Sequence, residues 1–352
     1  MNILRSNLPE FIYLLFLIPI GLIPNYGALD RIATQWLYLS VLNSLGLVFF
    51  LYSKNYNQIS FIKIFSFKPF VFLILFTFWG ILSFFYAINP IEVIVKWVRW
   101  IQLPISLMLL IIIFNRNQID YVKIISIILS SVLLVELYFS YSTYFDLTKF
   151  INYDFSYAYL IKGATGNKNI NAASVLIKTP FLIFLIFRLK PVIIKILLAL
   201  ILVFSFYLIF ILSARAAIIS LVLISIIFTV QYFIYLKKSK YSFKSISHNI
   251  VMLSFLFPIL LFSFKYSNQS SVSVISRVST INNEDESTQQ RLRYYKHSLN
   301  QLLENPIFGT GLGNWKIKSV DYDKLNIQGY VIPYHTHNDF LEIAAELGII
   351  GL

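Results

Sequence analysis

The chain has 352 residues, of which 58% are hydrophobic, 17% aromatic and only 13% charged, and its mean hydropathy is +0.72. A water-soluble globule, which carries about 25% charged residues, is excluded, so the bilayer takes the place of water as solvent. The absence of cysteine removes disulfides, thiolate metal sites and cysteine nucleophiles, and the net charge of +13 admits a nucleic acid, an anionic lipid or a membrane-orientation signal.

Crossing about 30 Å of hydrocarbon takes about 20 helical residues. Nine apolar runs approach that length: 10–24, 32–52, 70–88, 91–114, 121–145, 170–188, 191–212, 214–236 and 248–267. None alternates polar and apolar residues as barrel strands do, so the chain reads as an all-α polytopic membrane protein. The first run is interrupted by Pro19, Gly21 and Pro24; with no small-residue cleavage pattern after it, it reads as an uncleaved helix behind Arg5. Charges inside the apolar runs each cost about 2.5–3.5 kcal/mol at mid-membrane, so they should pair or face the interior. Lys96 and Arg99 share one helix face, and Glu136 and Lys178 make a plausible ion pair.

A cytoplasmic N-terminus puts thirteen positive charges on the inner connections and helix ends: Arg5, Lys54, Lys63, Lys68, Arg116, Lys123, Arg188, Lys190, Lys195, Lys237, Lys238, Lys240 and Lys244. The short outer connections hold only Arg31, Lys149, Lys162, Lys168 and Arg215, with Lys265 a sixth at the outer end of the ninth run. This bias orients the bundle and accounts for most of the net charge without nucleic acid. The division that follows is a transmembrane bundle over 1–267, an extracytoplasmic loop over 268–337, and the start of a tenth transmembrane helix over 338–352, which the sequence leaves incomplete.

Four outer-side segments could carry chemistry. Residues 163–169 precede the sixth run and read either as a turn with an Asn cap or as part of a phosphate cradle. Ser213-Ala214-Arg215 joins two apolar runs and presents a guanidinium that either anchors at the interface or binds phosphate oxygens. Arg291–Leu303 is amphipathic, with Leu292, Tyr295, Leu299 and Leu302 on the face expected to lie against the membrane or the bundle, and Arg291 could meet the same anion as Arg215. Glycines 309, 311 and 313 read as a tight turn, since no strand precedes them as a dinucleotide fingerprint requires.

The strongest cluster is Tyr334-His335-Thr336-His337-Asn338-Asp339. A histidine at the mouth of a bundle can act as general base on a sugar hydroxyl. Three other readings stand beside it: Asn338 or Asp339 capping the next helix, with Glu342 completing a capping box; a metal site of His335, His337 and Asp339; and an interfacial histidine pair.

In their order, residues 163–169, Ser213 to Ala217, Arg291 to Tyr295, Asn305 to Trp315 and His337-Asn338 to Gly351 resemble the O-antigen ligase and polymerase family of polytopic membrane glycosyltransferases. The specific part of the resemblance begins at about residue 291. The resemblance implies transfer of a glycan from an undecaprenyl-diphosphate carrier to an acceptor hydroxyl, on lipid A core or another glycan, at the outer face of a bacterial inner membrane and without metal or other cofactor. It implies Arg215 and Arg291 as donor-diphosphate ligands and His337 as the base, with Asn167, Lys168, Asn169, Arg293 and Asn338 as substrate-binding residues. Glu346 also falls in the family pattern, with a role in orientation or packing. A transporter or flippase of an anionic lipid-linked substrate, using Lys96, Arg99, Glu136 and Lys178, is the alternative function.

Overall fold

The computed structural model describes residues 8–28, 30, 32–52, 61–115, 120–151, 153–238, 246–265, 286–327 and 332–352. Among the orientation charges, Arg5, Arg31, Lys54, Arg116, Lys240 and Lys244 lie outside the described residues, as does the stretch 266–285 of the long polar segment. The protein is an all-α polytopic membrane protein, and among the described residues all regular elements are helical. In chain order the α-helices are α1 (Leu8–Leu17), α2 (Ala33–Tyr52), α3 (Phe61–Ser66), α4 (Lys68–Leu82), α5 (Pro90–Trp100), α6 (Gln102–Phe114), α7 (Tyr121–Thr148) and α8 (Lys168–Arg188). They continue as α9 (Val192–Leu212), α10 (Arg215–Lys238), α11 (Ile246–Lys265), α12 (Glu286–Glu304), α13 (Trp315–Asp323) and α14 (Asp339–Gly351).

Each of the nine apolar runs forms helix over most of its described residues, and prolines mark bends in them. Seven helical segments among the described residues are long and apolar enough to cross a membrane, whereas Leu8–Leu22 and Ser247–Phe262 are shorter apolar helices. Pro19 turns the end of the first run into a 3-10 helix, Ile18–Leu22. The fourth run divides at Ile101 into α5 and α6, because Pro104 has no N–H to offer the carbonyl four residues back.

Two compact units form, each discontinuous in sequence: Met1–Gln35 with Gln118–Ile281, and Trp36–Asn117 with Asn282–Leu352. In the first unit, helices α7 to α11 share a core that includes Leu133, Leu182, Leu202, Phe206 and Ile209. Phe206 stacks on Phe255 at 5.0 Å between ring centroids. Large apolar side chains such as Ile226, Leu253 and Leu260 remain exposed on the outside of these helices. Hydrocarbon removes the penalty that water would impose on them. Hydroxyls within the spans turn inward on their own helices, as Ser130 donates to Ser126 O at 2.7 Å and Thr229 to Ser225 O at 2.7 Å. The pairing expected of the charges in α7 and α8 is present: Lys178 Nζ lies 2.9 Å from Glu136 Oε2, and Ser174 Oγ donates to Glu136 Oε1 at 2.8 Å.

The second unit joins α4, α5 and α6 to the C-terminal segments. Val93, Leu312 and Leu347 form its buried centre, covered by Trp79, Trp97 and Trp100. Helix α14 breaks at Gly348, whose φ of +67° belongs to the left-handed region. The carbonyl freed just before the break, that of Leu347, accepts the Trp79 Nε1 hydrogen bond at 3.0 Å. Just after it, the Ile349 N–H bonds to Pro306 O at 2.9 Å, so α14 and the turn at 305–313 interlock.

Helix α12 forms over the amphipathic run but begins earlier, at Glu286. Tyr294, Ser298 and Gln301 are buried, while Leu292 and Leu299 of the expected packing face are exposed. Tyr322 Oη of α13 donates to Gln301 Oε1 at 3.1 Å, and Ser298 Oγ donates within α12 to Tyr294 O at 2.9 Å.

Candidate active site around His337

His337 occupies a left-handed turn with φ +60°, a conformation that costs a non-glycine residue about 1–3 kcal/mol and persists only when its neighbours hold it. They do so from both sides. The buried Thr336 Oγ1 donates to Asn338 O at 2.6 Å and accepts the Asn338 N–H at 3.1 Å. Asn338 then caps α14, its Oδ1 accepting the Leu341 N–H at 3.2 Å. Tyr295 Oη donates to His337 O at 3.4 Å, and the His337 ring lies nearly parallel to that of Tyr294, 19° apart with centroids separated by 6.3 Å. The imidazole is thereby fixed at an exposed turn between α12 and α14.

The cap differs in part from the capping box expected from the sequence. Asn338 is the cap, but Glu342 does not reach back to it. Glu342 Oε2 instead accepts the Thr336 N–H at 3.3 Å and lies 3.2 Å from His335 Nδ1, while Oε1 lies 3.3 Å from Lys96 Nζ. Lys96 also lies 2.8 Å from the buried Glu346 Oε2, whose other oxygen accepts the Trp315 N–H at 3.2 Å. Glu346 therefore packs and orients this unit, as the family resemblance implied, and the pairing required of Lys96 is satisfied by α14. Among the described residues, no group of three or more His, Asp or Glu side chains is arranged to hold a metal ion.

The two histidines are pushed in opposite directions. The hydrogen bond to Glu342 raises the pKa of His335 above its ordinary 6.5. Partial burial, followed by the positive charge of Arg291 and by His335, lowers that of His337. Arg291 itself is exposed, and no carboxylate among the described residues pairs with it. Arg293, expected to bind substrate, is instead committed to the buried Asp323, with Nε 2.7 Å from Oδ1. His297 lies beside the same carboxylate at 4.0 Å, and its ring stacks on Tyr322 at 5.6 Å.

The turn at 305–313 supports this site. At Gly309 (φ +69°) an added Cβ would collide with the Glu346 backbone, so the loop approaches α14 as closely as main chain allows. The buried Asn314 locks the turn to α5: its Oδ1 accepts the Asn89 N–H at 2.7 Å, and its Nδ2 donates to Asn89 O at 3.2 Å. The reading of these glycines as a tight turn holds.

The remaining candidates stand on the first unit. Ser213, with φ +52°, ends α9, and Arg215 begins α10 half-buried. A guanidinium at a helix N-terminus adds to the positive end of the dipole instead of opposing it, an arrangement favourable to anions. Asn167 caps α8, its Oδ1 accepting the Asn169 N–H at 2.8 Å, so the turn and cap expected at 163–169 are present. Lys168 is half-buried and Asn169 exposed in the first turn of that helix.

Glu342 and Thr336 were missed as members of the site. A signal existed: Glu342 and Glu346 are four apart, on one face of a helix, and Lys96 is a charge inside an apolar run that has to be paired. Nothing in the sequence indicated that these two features, about 250 residues apart, belong together.

Comparison with known proteins gives a consistent family. The family profile described as O-antigen ligase matches residues 198–352. A Rickettsia conorii protein provisionally named a polysaccharide ligase is 32% identical over 114 residues, 31% of this chain and 26% of that protein. A Rickettsia typhi protein with the same provisional name is 31% identical over 117 residues, 32% of this chain and 27% of that protein. Each of these matches therefore spans about a quarter of the relative's length. A third relative so named, from Rickettsia prowazekii, is 26% identical over an alignment of 355 positions, which covers 95% of this chain and 80% of that protein. No solved structure matches the chain. Over residues 198–352 the chain is similar to the O-antigen ligase family.

Proposed function

We propose that the protein is a membrane glycosyltransferase of the O-antigen ligase type, moving a glycan from an undecaprenyl-diphosphate carrier to an acceptor hydroxyl during surface polysaccharide or lipopolysaccharide assembly. It would work in a bacterial inner membrane, with its N-terminus in the cytoplasm and the segment around 268–337 on the periplasmic side. The observation that carries this reading is His337, held in a strained turn beside an arginine and kept neutral by its surroundings. Neutral imidazole accepts the proton of the acceptor hydroxyl as its oxygen bonds to the anomeric carbon. The bond from that carbon to the diphosphate oxygen breaks, and the carrier diphosphate leaves with the electron pair. Arg291 offsets the charge on the leaving group, and no metal or nucleotide enters the step. Arg215, on the first unit, takes its diphosphate-binding role from the sequence resemblance, and so do Asn167, Lys168 and Asn169. The side chains of Arg293 and Asn338, bound to Asp323 and to the α14 cap, support the site more than they contact substrate.

The transporter reading loses its strongest residues. Lys96 and Lys178 are each paired with carboxylates within their own unit, which leaves them less charge to offer an anion. Substituting His337 by Ala should abolish glycan transfer in cells while the membrane abundance of the protein is unchanged. Retained transfer at normal abundance would rule out the base.

A further inference from the structure

Holding a histidine at φ +60° requires that its neighbours be fixed, and one of those neighbours is fixed from a distance. Thr336 is wholly buried and uses its hydroxyl on Asn338, on the far side of His337. Its own N–H points back to Glu342, one turn into α14. Glu342 cannot swing away, because Lys96 of α5 lies 3.3 Å from its other oxygen and is itself anchored 2.8 Å from Glu346. Glu346 is closed in turn by the Trp315 N–H. The series Trp315, Glu346, Lys96, Glu342 and Thr336 is continuous, mostly buried, and ends one peptide from His337.

We propose that Glu342, clamped by Lys96, is a positioning residue for His337. It touches no reacting atom; it accepts the Thr336 N–H and so fixes the turn that aims the imidazole. This role rests on the reading of His337 as base. It concerns turnover more than substrate capture, because a base displaced by a fraction of a bond length still leaves the donor and acceptor contacts in place. It also distinguishes the two functions of the carboxylate. Accepting the Thr336 N–H needs only an oxygen, which an amide supplies, whereas the ion pair needs the charge, and Lys96 keeps Glu346 when Glu342 is neutral.

The test is steady-state transfer by the full chain in membranes, with polyprenyl-diphosphate-linked glycan as donor, for Glu342→Ala, Glu342→Gln, Thr336→Val and His337→Ala. Positioning predicts that Glu342→Ala lowers kcat at least about tenfold with donor KM within about twofold, and that Glu342→Gln restores most of the loss. Thr336→Val, which keeps the shape and the Thr336 N–H bond to Glu342 but removes the hydroxyl clamp, should lower kcat through the other side of the turn. Wild-type kcat in Glu342→Ala overturns the proposal if His337→Ala is inactive; where Glu342→Ala does not accumulate, a fall of about tenfold in kcat for Glu342→Gln overturns it. A fall in Glu342→Gln as deep as in Glu342→Ala also overturns it. An active His337→Ala is a separate result and removes the base on which the role rests.

Discussion

His335 and His337 are two residues apart, yet their environments separate their chemistry. Glu342 favours the charged form of His335, whereas burial and the charge of Arg291 favour the neutral form of His337. A base must be neutral to act, so transfer should remain level as pH falls past 6.5, the ordinary imidazole value, and decline only where His337 protonates below it. Arg291→Gln removes one of the charges that lower this pKa while leaving the burial. The acid limb of kcat/KM in the residual activity should then move upward toward 6.5, and an unmoved limb would show that Arg291 does not govern the charge on His337. The same two residues illustrate what could be read from residue identity alone. The H-x-H pattern identified the right turn, and it left base, metal ligand and interfacial pair open. The surroundings of the two rings differ, and the groups that set them apart, Glu342 and Arg291, lie on different helices.

At the level of elements, most helices follow from hydropathy, and the exceptions follow from geometry that hydropathy does not encode. Pro104 divides the fourth run, and Gly348 breaks α14 so that its end can bond back to Pro306. A Cβ at position 348 would meet the Ile307 carbonyl and would also place a side-chain residue in the left-handed region, which alone costs about 1–2 kcal/mol. Gly348→Ala should therefore lower the thermal unfolding midpoint of the detergent-solubilised protein by several degrees; an unchanged midpoint would mean that the interlock of α14 with the 305–313 turn contributes little. In α12 the leucine stripe is a genuine amphipathic pattern, but it does not mark the set buried within the protein. That set is Tyr294, Ser298 and Gln301, and Gln301 Oε1 finds its partner, Tyr322 Oη, on α13. Partner availability is a tertiary property, and a one-dimensional pattern does not carry it.

Over the whole molecule, the polytopic helical class was legible because a bilayer imposes length and apolarity on each span. The interleaving of the two units was not. Residues 36–117 leave the chain's first unit and join the C-terminal segments, and so Lys96 meets Glu342 and Glu346 across about 250 residues. The region matched by the O-antigen ligase profile contains α9 to α11 of one unit and α12 to α14 of the other, so the family pattern draws on both. The chemistry proposed for this molecule needs a lipid-linked diphosphate donor, an acceptor hydroxyl and one neutral imidazole, with no nucleotide or metal. The most direct measurement is transfer by purified protein in proteoliposomes that contain polyprenyl-diphosphate-linked glycan and a glycan acceptor, in buffer with chelator and without nucleotide, comparing wild type with His337→Gln. The account predicts acceptor elongation with release of carrier diphosphate by the wild type and its loss in the variant. Equal elongation by both proteins, or elongation by the wild type only after nucleotide or divalent metal is added, would contradict it.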